Sequence, residues 1–295
     1  MKRDTTVTWR PVPAGDLDLT GTHAAVIGGT GGIGRAVSHL LAARGARVHL
    51  VGRTFRDAGV PGLEFHSADL SLMREAERVA AELPAETLDL VVFTTGIIAA
   101  PKRQETAEGL ERDMAVSYLS RLVTLRAMAG RLGADRPTGS RRPRVFVMGF
   151  PGNDQTGTVD DLNAEGPYKS MAVHMNTVAG NEALVLDAAR RYPHLDVFGL
   201  NPGFVKSDIR ANLFGEGTLR ARLFEAALTP ITTSPGTYAR RITPLLVAPE
   251  LEGRGGTMFN RKAAAIQRSA GMTESHVAAF TAASAELVSR AGVSL

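Results

Sequence analysis

The chain has 295 residues, of which 44% are hydrophobic and 22% are charged, and it contains no cysteine. This composition is typical of a globular protein with a large core, and it excludes disulfides, thiolate metal sites and cysteine nucleophiles. The formal net charge is only +4, and the basic residues are scattered among 30 acidic ones, apart from the run Arg141-Arg142-Pro143-Arg144. We interpret that run as a solvated loop, so the sequence indicates no nucleic-acid partner.

No membrane or secretion signal is expected. The longest apolar runs are shorter than the roughly 18 residues that a membrane helix needs, and the first 20 residues contain no apolar segment typical of a signal peptide. We therefore expect no membrane partner and a cytoplasmic location. No residue is assigned to a metal, and the oligomeric state is left open.

Residues 1–19 predict an N-terminal arm, because the segment around Pro11 and Pro13 suits neither a helix nor a central strand. Beyond it, strand-like and helix-like segments alternate without an internal repeat. The predicted strands are 23–27, 47–51, 63–66, 88–93, 144–148, 196–200 and 257–260. The predicted helices start near residue 33, at 74 with Ser71 as its cap, at 108 and at 174. This alternation predicts an α/β fold, a Rossmann-type doubly wound parallel sheet in one domain over residues 20–295.

A glycine-rich turn lies between the first predicted strand and its helix. Residues without a Cβ atom let a pyrophosphate approach the backbone amides at a helix N-terminus, where the helix dipole favours negative charge. The segment Val26-Ile27-Gly28-Gly29-Thr30-Gly31-Gly32-Ile33-Gly34 resembles the cofactor loop of the short-chain dehydrogenase/reductases. The resemblance implies that a dinucleotide contacts Gly28, Thr30, Gly31, Gly32, Ile33 and Gly34. The alternative is a turn that only packs a helix on a sheet.

The end of the second predicted strand indicates which dinucleotide binds. NAD-binding folds usually place an acid about 20 residues beyond the glycines, where it accepts a hydrogen bond from the ribose 2′-hydroxyl. This chain has Arg53 there, and an arginine can pair with the 2′-phosphate of NADPH. We therefore predict NADPH/NADP⁺ as the cofactor, with a solvated arginine as the alternative.

Three further segments resemble cofactor-binding parts of the family. Asp69 and Leu70 follow the third strand, where the family contacts adenine, although Asp69 could also only cap a helix. Thr95 and Gly96 stand in the turn after the fourth strand. The segment 201–207 is similar to the family's Pro-Gly-x-Val-x-Thr segment, which implies that its residues bind the nicotinamide end. The residues concerned there are Pro202, Gly203 and Val205.

The catalytic triad of the family is missing from the sequence. Family members protonate the substrate with a tyrosine whose pKa is lowered by a lysine four positions later, and none of the four tyrosines here has that lysine. Gly149 or Phe150 stands where the family has its serine, and Ser117 stands where it has an asparagine. Tyr168 precedes a predicted helix, as the family's tyrosine does, but Ala172 takes the lysine position.

The remaining candidate for an acid is His174, provided that its helix faces the pocket; a lone histidine is more often structural. We therefore name Tyr168, Ser117 and His174 as catalytic candidates and expect no single one to be an essential acid. A ketone flanked by phenols could supply the proton from its own hydroxyl. This chain resembles atypical family members that tailor aromatic polyketide antibiotics, which implies an NADPH-dependent ketoreductase. The alternative is a dinucleotide-binding sensor or scaffold without chemistry.

Residues 208–235 stand where the family has its substrate lid. Their apolar side chains, with Gly215 and Gly217 as hinges, predict a flap that suits a large hydrophobic ketone as the small-molecule substrate. The alternative is ordinary packing of a helix on the core.

Overall fold

The computed structural model describes residues 1–205 and 232–295. Its strands form one sheet of eight, in the order β3-β2-β1-β4-β5-β6-β7-β8. Neighbouring strands are parallel except for the antiparallel pair β7 and β8. The strands are β1 (His23–Ile27), β2 (Arg47–Gly52), β3 (Leu63–Ser67), β4 (Leu90–Phe93), β5 (Arg144–Met148), β6 (Asp196–Leu200), β7 (Met258–Phe259) and β8 (Ala265–Ile266). The predicted fold class, a mostly parallel doubly wound α/β sheet, is confirmed.

Helices cover both faces of the sheet. They are α1 (Gly32–Ala43), α2 (Met73–Glu82), α3 (Arg112–Met114), α4 (Ser120–Ala129), α5 (Ser170–Arg191), α6 (Pro235–Val247) and α7 (Glu274–Arg290). A π-helical turn, Ala115–Leu119, joins α3 to α4, so the three stretches form one continuous helix. One core lies between the sheet and α1 with α6, and the other lies between the sheet and α2, α4, α5 and α7.

The central strands are buried on both faces, which explains why they are short, apolar runs rather than alternating ones. In β1, the four residues from Ala24 to Ile27 have no exposed surface, and the same is true of Val91 to Phe93 in β4. The parallel register places the carboxyl ends of β1, β2 and β4 at the same edge of the sheet. Ligands of open α/β sheets bind at this edge, so the fold positions the glycine-rich turn at a binding crevice.

The N-terminal arm lies along the opposite end of the sheet. Arg3 bridges to Ile266 of β8, and the amide of Asp4 donates to the carbonyl of Ala265 at 3.0 Å. The indole Nε1 of Trp9 donates to the carbonyl of Ala263 at 2.7 Å. The arm thus covers the outer strand β8 and supplies hydrogen bonds to an edge that would otherwise be open.

The predicted cap of α2 is wrong. The N-cap residue of α2 is Leu72, and Ser71 makes no capping hydrogen bond with its side chain. The amide of Ser71 instead donates to the Asp69 carboxylate at 3.0 Å. The first helical amides, those of Met73 and Arg74, donate to the two carboxylate oxygens of Glu108 at 2.5 and 3.2 Å. A carboxylate at a helix N-terminus is favoured by the helix dipole. The loop before α3 is therefore tied to the start of α2.

The predicted lid at 208–235 lies almost entirely outside the described residues, which resume at 232. Within the two described stretches, no helix is both long enough and apolar enough to cross a membrane.

Candidate cofactor and active site

A cavity of about 360 Å³ opens at the carboxyl ends of β1, β2 and β4. Its walls come from the glycine-rich turn, the end of β2, the segment after β3 and the turn after β4. The predicted cofactor residues that line it are Gly28, Thr30, Gly31, Gly32, Ile33, Arg53, Asp69, Leu70, Thr95 and Gly96. The fold therefore brings together predictions made from four separate segments of the sequence.

The glycines of the turn serve two different purposes. A Cβ atom on Gly34 would lie 2.3 Å from the carbonyl oxygen of Gly28, and one on Gly28 would lie 2.6 Å from the amide nitrogen of Thr95. These two glycines are thus required for close packing of the backbone, and Gly34 does not line the cavity. In contrast, a Cβ atom on Gly31 would meet nothing within 4 Å, and Gly31 is the N-cap of α1. Gly31 leaves the helix N-terminus open to a ligand.

Two arginines line the cavity: Arg112, whose guanidinium donates to the side-chain oxygen of Gln104 at 2.9 Å, and Arg53. Within the described part of the chain, the exposed side chain of Arg53 has no hydrogen bond or ion pair. The neighbouring Arg35, in the first turn of α1, is already held by Asp57 at 2.6 Å, and His39 lies 3.1 Å from the same carboxylate. The hydrogen bond from Arg35 lowers the pKa of Asp57 to about 2. Asp57 is therefore ionised, and its negative charge is balanced by Arg35. Arg53 is left to pair with an anion.

The cofactor residues predicted in the turn after β4 and in the segment 201–207 lie in two different places. Thr95 and Gly96 line the cavity, but Pro202, Gly203 and Val205 do not. Gly203 has φ +65° and lies over the side chain of Arg261 beside a second cavity, while Val205 is buried and bridges to Thr233. The structure does not place these three residues with the other cofactor candidates.

Beyond the turn after β4, two buried helices meet through polar side chains, which we call the polar seam. The seam consists of Asp113, Ser117 and Arg121, at intervals of four on the continuous helix from α3 to α4, together with His174 and Asn181 on α5. Ser117 lies in the π-helical turn, a feature that occurs frequently at functional sites. All of these residues except His174 are fully buried.

Ser117 connects the seam to the cavity wall. Its hydroxyl donates to the Asp113 carboxylate at 2.5 Å and accepts from the amide of Ile97 at 3.0 Å. Ile97 itself lines the cavity. The backbone carbonyl of Ser117 accepts from Nδ2 of Asn181 at 2.9 Å. Of the three catalytic candidates, Ser117 thus fixes the position of the turn and of Asp113, rather than facing the cavity itself.

His174 is oriented by a buried carboxylate. Its Nδ1 lies 2.7 Å from Asp113, whose side chain has no exposed surface, and the amide of Ala99 donates to the same carboxylate oxygen at 3.1 Å. We assign the Nδ1 proton to this hydrogen bond, because a carboxylate can only accept. The ring is 18% exposed, and Nε2 has no hydrogen-bond partner in residues 1–205 and 232–295. An imidazole held in this way can exchange a proton through Nε2.

Arg121 is a buried cation without a counterion. Its guanidinium donates to the carbonyl oxygens of Thr95 and Met148, at the ends of β4 and β5, and to Oδ1 of Asn181 at 2.8 Å. Across the described stretches, no carboxylate lies within ion-pair distance of it, and its Nε has no hydrogen-bond partner. Burial lowers the pKa of Arg121 to about 9. The side chain therefore stays charged at neutral pH, directly behind the turn that lines the cavity.

Tyr168 lies outside the seam. Its hydroxyl donates to the carbonyl of Ala100 at 3.1 Å and approaches the buried Glu111 carboxylate at 3.4 Å. Burial, followed by the charge of Glu111, raises the pKa of Tyr168 to about 12, whereas the family's lysine would lower it. At the serine position, a Cβ atom on Gly149 would lie 3.1 Å from Cβ of Asn181. A serine side chain at position 149 would therefore be crowded by the side chain of Asn181.

The sequence prediction missed three members of the polar seam. Asp113 and Arg121 lie four residues before and after Ser117, on a helix that is otherwise apolar on that face, and Asn181 lies seven residues after His174. A polar stripe at intervals of four on a buried helix was the available signal. Which residues would meet across the two helices could not be read from either segment alone.

Comparison with known proteins identifies relatives over the whole chain, although no family model matches it. It is 48% identical over 294 residues to an uncharacterised oxidoreductase of Saccharomyces cerevisiae, covering 98% of this chain and 95% of that protein. It is 26% identical to a protein of Streptomyces sp. (strain C5) provisionally named the daunorubicin C-13 ketoreductase DnrU, over 82% of this chain and 84% of the relative.

Solved structures show the same fold at lower identity. An uncharacterised protein of Mycobacterium paratuberculosis superposes with a TM-score of 0.70 at 18% identity, covering 95% of this chain and 98% of that one. A short-chain dehydrogenase/reductase of Serratia marcescens superposes with a TM-score of 0.59 at 20% identity, covering 82% and 96%. The full-length relative places this chain among the oxidoreductases, and its sheet has the fold of the short-chain dehydrogenase/reductases.

Proposed function

We propose that this protein is an NADPH-dependent reductase of a ketone carbonyl on a large hydrophobic substrate of the aromatic polyketide type. The observation that carries the proposal is the unpaired Arg53 at the rim of a cavity built around the open N-terminus of α1. The ketoreductase name of the Streptomyces relative supports the reaction class. The alternative is a dinucleotide-binding sensor or scaffold without chemistry.

The residues of the cavity fit a nicotinamide dinucleotide. Gly31 and Gly32 would let the pyrophosphate reach the amides of α1, and Arg53 would pair with a 2′-phosphate. Leu70 and Asp69 would lie against the adenine. When bound, the cofactor supplies the hydride, and the protein supplies position and charge.

The best-placed proton donor among the described side chains is His174. Asp113 would hold the ring through Nδ1, and Nε2 would give a proton to the oxygen of the ketone. The buried charge of Arg121 favours negative charge developing nearby. A second route does not need a protein acid. Gly149 offers no hydroxyl to hold the ketone oxygen, so a phenol next to the ketone would instead stabilise the alkoxide by a hydrogen bond within the substrate.

The reaction class is tested by mixing purified protein with NADPH and a panel of hydroxylated polycyclic ketones. We expect cofactor oxidation, seen as loss of absorbance of the reduced nicotinamide, together with the matching alcohol by mass spectrometry. Tight NADPH binding without turnover on any carbonyl of the panel would favour the sensor or scaffold instead.

The two kinds of glycine in the turn give a prediction about binding and folding. Gly31→Ala should leave the thermal midpoint unchanged, because its Cβ atom meets nothing within 4 Å and its φ of −148° suits any residue. It should weaken NADPH binding about 10-fold or more, the equivalent of one lost charge-assisted hydrogen bond. Gly34→Ala should instead destabilise the fold by about 1–3 kcal/mol, because its Cβ atom would meet backbone.

Differential scanning fluorimetry and fluorescence titration with NADPH measure the two effects separately. Gly130→Ala is the matched control, since its Cβ atom also meets nothing within 4 Å and it lies outside the cavity. Unchanged NADPH affinity of Gly31→Ala would show that the pyrophosphate does not approach α1 at this residue.

Tyr168→Phe should lower kcat/KM by less than ~10²-fold, the lower end of a general acid's usual contribution. Its hydroxyl is engaged with the carbonyl of Ala100, and its pKa of about 12 makes it a weak acid at neutral pH. Steady-state kinetics at saturating NADPH measure the effect. Loss of all turnover with cofactor binding retained would make Tyr168 a displaced version of the family's tyrosine.

A further inference from the structure

Three potential metal ligands converge on the face of the sheet that packs against α2, away from the cofactor cavity. His49 lies on β2, and Glu64 and His66 lie on the same face of the outer strand β3. Nδ1 of His49 lies 3.1 Å from Nε2 of His66 and 3.7 Å from a carboxylate oxygen of Glu64. Nε2 of His66 lies 3.8 Å from the other oxygen of Glu64.

The three distances, 3.1, 3.7 and 3.8 Å, each lie about 0.2 Å or less outside the edge lengths of a tetrahedral metal site, so small side-chain shifts would bring the ligand atoms to those lengths. Zinc binds nitrogen and carboxylate oxygen at about 2.0–2.2 Å, which places neighbouring ligand atoms of a tetrahedral site roughly 3.3–3.6 Å apart. Two imidazoles with one carboxylate form a ligand set that suits zinc. We propose that His49, Glu64 and His66 bind a zinc ion that links β2 to β3.

The surroundings of His49 distinguish this cluster from a chance grouping at the surface. His49 is 2% exposed, and its Nε2 has no hydrogen-bond partner among the residues that the structure describes. The unpaired Nε2 is not the atom that would bind the metal, because with zinc on Nδ1 the ring proton would be on Nε2. The burial of His49 favours the site because it holds Nδ1 in place, facing His66 and Glu64. The side chain of Glu64 is 45% exposed, so the ion can enter from solvent and a water can be its fourth ligand.

Two local interactions compete with the metal. Without the ion, the two imidazoles can share one N–H···N hydrogen bond across their 3.1 Å separation. Arg47 also lies 2.9 Å from Glu64, so its positive charge must move away when a cation binds. The side chain of Arg47 is 61% exposed and can turn into solvent without losing buried contacts. Removing Arg47 should therefore tighten the site.

The position of the site gives the ion a structural role. β3 is the outer strand of the sheet and has a hydrogen-bonded neighbour on one side only. A metal shared by β2 and β3 would secure this edge. The same two strands lead directly into Arg53 and Asp69 at the cofactor cavity.

Zinc binding is tested on the full chain after removal of metals with a chelator. Titration with ZnCl₂ against a chromogenic indicator should show one equivalent of bound zinc and a higher thermal midpoint. CoCl₂ should give the intense visible absorption of tetrahedral cobalt. We expect His66→Gln and Glu64→Gln each to weaken zinc binding at least ~10-fold, and Arg47→Gln to strengthen it.

The control variant is His194→Gln, which removes a histidine outside the cluster and should leave the titration unchanged. His66 and Glu64 are partly exposed, so their variants can be checked for folding by circular dichroism before titration. A wild-type chain that fails to compete with the indicator, or that binds zinc no better than His66→Gln, would overturn the proposal.

Discussion

His174→Ala is expected to lower kcat/KM for the ketone by about 10²–10⁴-fold, the usual contribution of a general acid. The reason is the 2.7 Å contact with the buried Asp113, which orients the ring and leaves Nε2 to give a proton. This prediction revises the expectation from the sequence that none of the three catalytic candidates is an essential acid. NADPH affinity should stay the same, because His174 does not line the cofactor cavity. Steady-state kinetics and a separate fluorescence titration with NADPH measure the two quantities.

Two further variants test whether a loss of turnover comes from the pair of His174 and Asp113. His276 is a partly buried histidine on α7 whose Nε2 lies 2.7 Å from the backbone carbonyl of Thr156, and His276→Ala should leave turnover unchanged. Asp113→Asn should lower kcat/KM in the same direction as His174→Ala, and the double variant should cost little more than the single ones, because the two residues act as one unit. A loss below ~10-fold for His174→Ala, with a large loss when the substrate's neighbouring phenol is methylated, would assign protonation to the substrate.

Arg53→Ala is expected to weaken NADPH binding about 10- to 150-fold, which corresponds to roughly 1.5–3 kcal/mol for one charge-assisted pair. NADH binding should change little, because NADH lacks the 2′-phosphate. The wild-type chain should therefore prefer NADPH, and the variant should lose most of that preference. Fluorescence titration of both reduced cofactors measures it.

The control for this prediction is Arg56→Ala, since Arg56 is an exposed arginine of the same loop that does not line the cavity. Removing Arg56 should leave both affinities unchanged. Equal affinity of the wild-type chain for the two cofactors would contradict the role given to Arg53. High salt should reduce the difference between the cofactors, because the pair forms at an exposed rim.

The sheet could be predicted because its signal is local. Each central strand is a short apolar run followed by a glycine or a polar residue, and the intervening helices repeat apolar residues on one face. The prediction failed where the partner is distant in sequence. Glu108 caps α2 from 35 residues away, in place of the predicted Ser71, and no local pattern identifies such a cap.

The C-terminal elements were missed for two different reasons. β8 has only two residues, Ala265 and Ile266, too few for a period-two pattern to be visible. Helix α7 did carry a signal, because Thr273 accepts a hydrogen bond from the amide of His276 and buried positions such as Val277 and Phe280 recur along one face. Helix α7 could therefore have been predicted from the sequence.

The candidate site also has parts that are local in the sequence, which could be predicted, and contacts between distant residues, which could not. The glycine-rich turn directly follows β1 and Arg53 directly follows β2, so their position at the cavity could be predicted from the order of the elements. Their role in binding a dinucleotide stays a prediction. The contact between Asp113 and His174 joins residues 61 positions apart on two helices, and only their packing reveals it. The acid predicted by position, Tyr168, could not be judged from sequence, because its surroundings determine its pKa.

The polar seam also implies a conflict between heat resistance and activity. In residues 1–205 and 232–295, the buried guanidinium of Arg121 has no carboxylate within ion-pair distance and an unpaired Nε, which costs folding free energy. Buried polar groups replaced together by apolar ones of similar volume often leave a protein more stable. We therefore expect the substitution of methionine for Arg121 and of leucine for Asn181 to raise the thermal midpoint. The same change would remove the positive charge behind the cavity. If turnover depends on that charge, as we propose, selection for thermostability alone would favour less active variants unless each round is also screened for turnover.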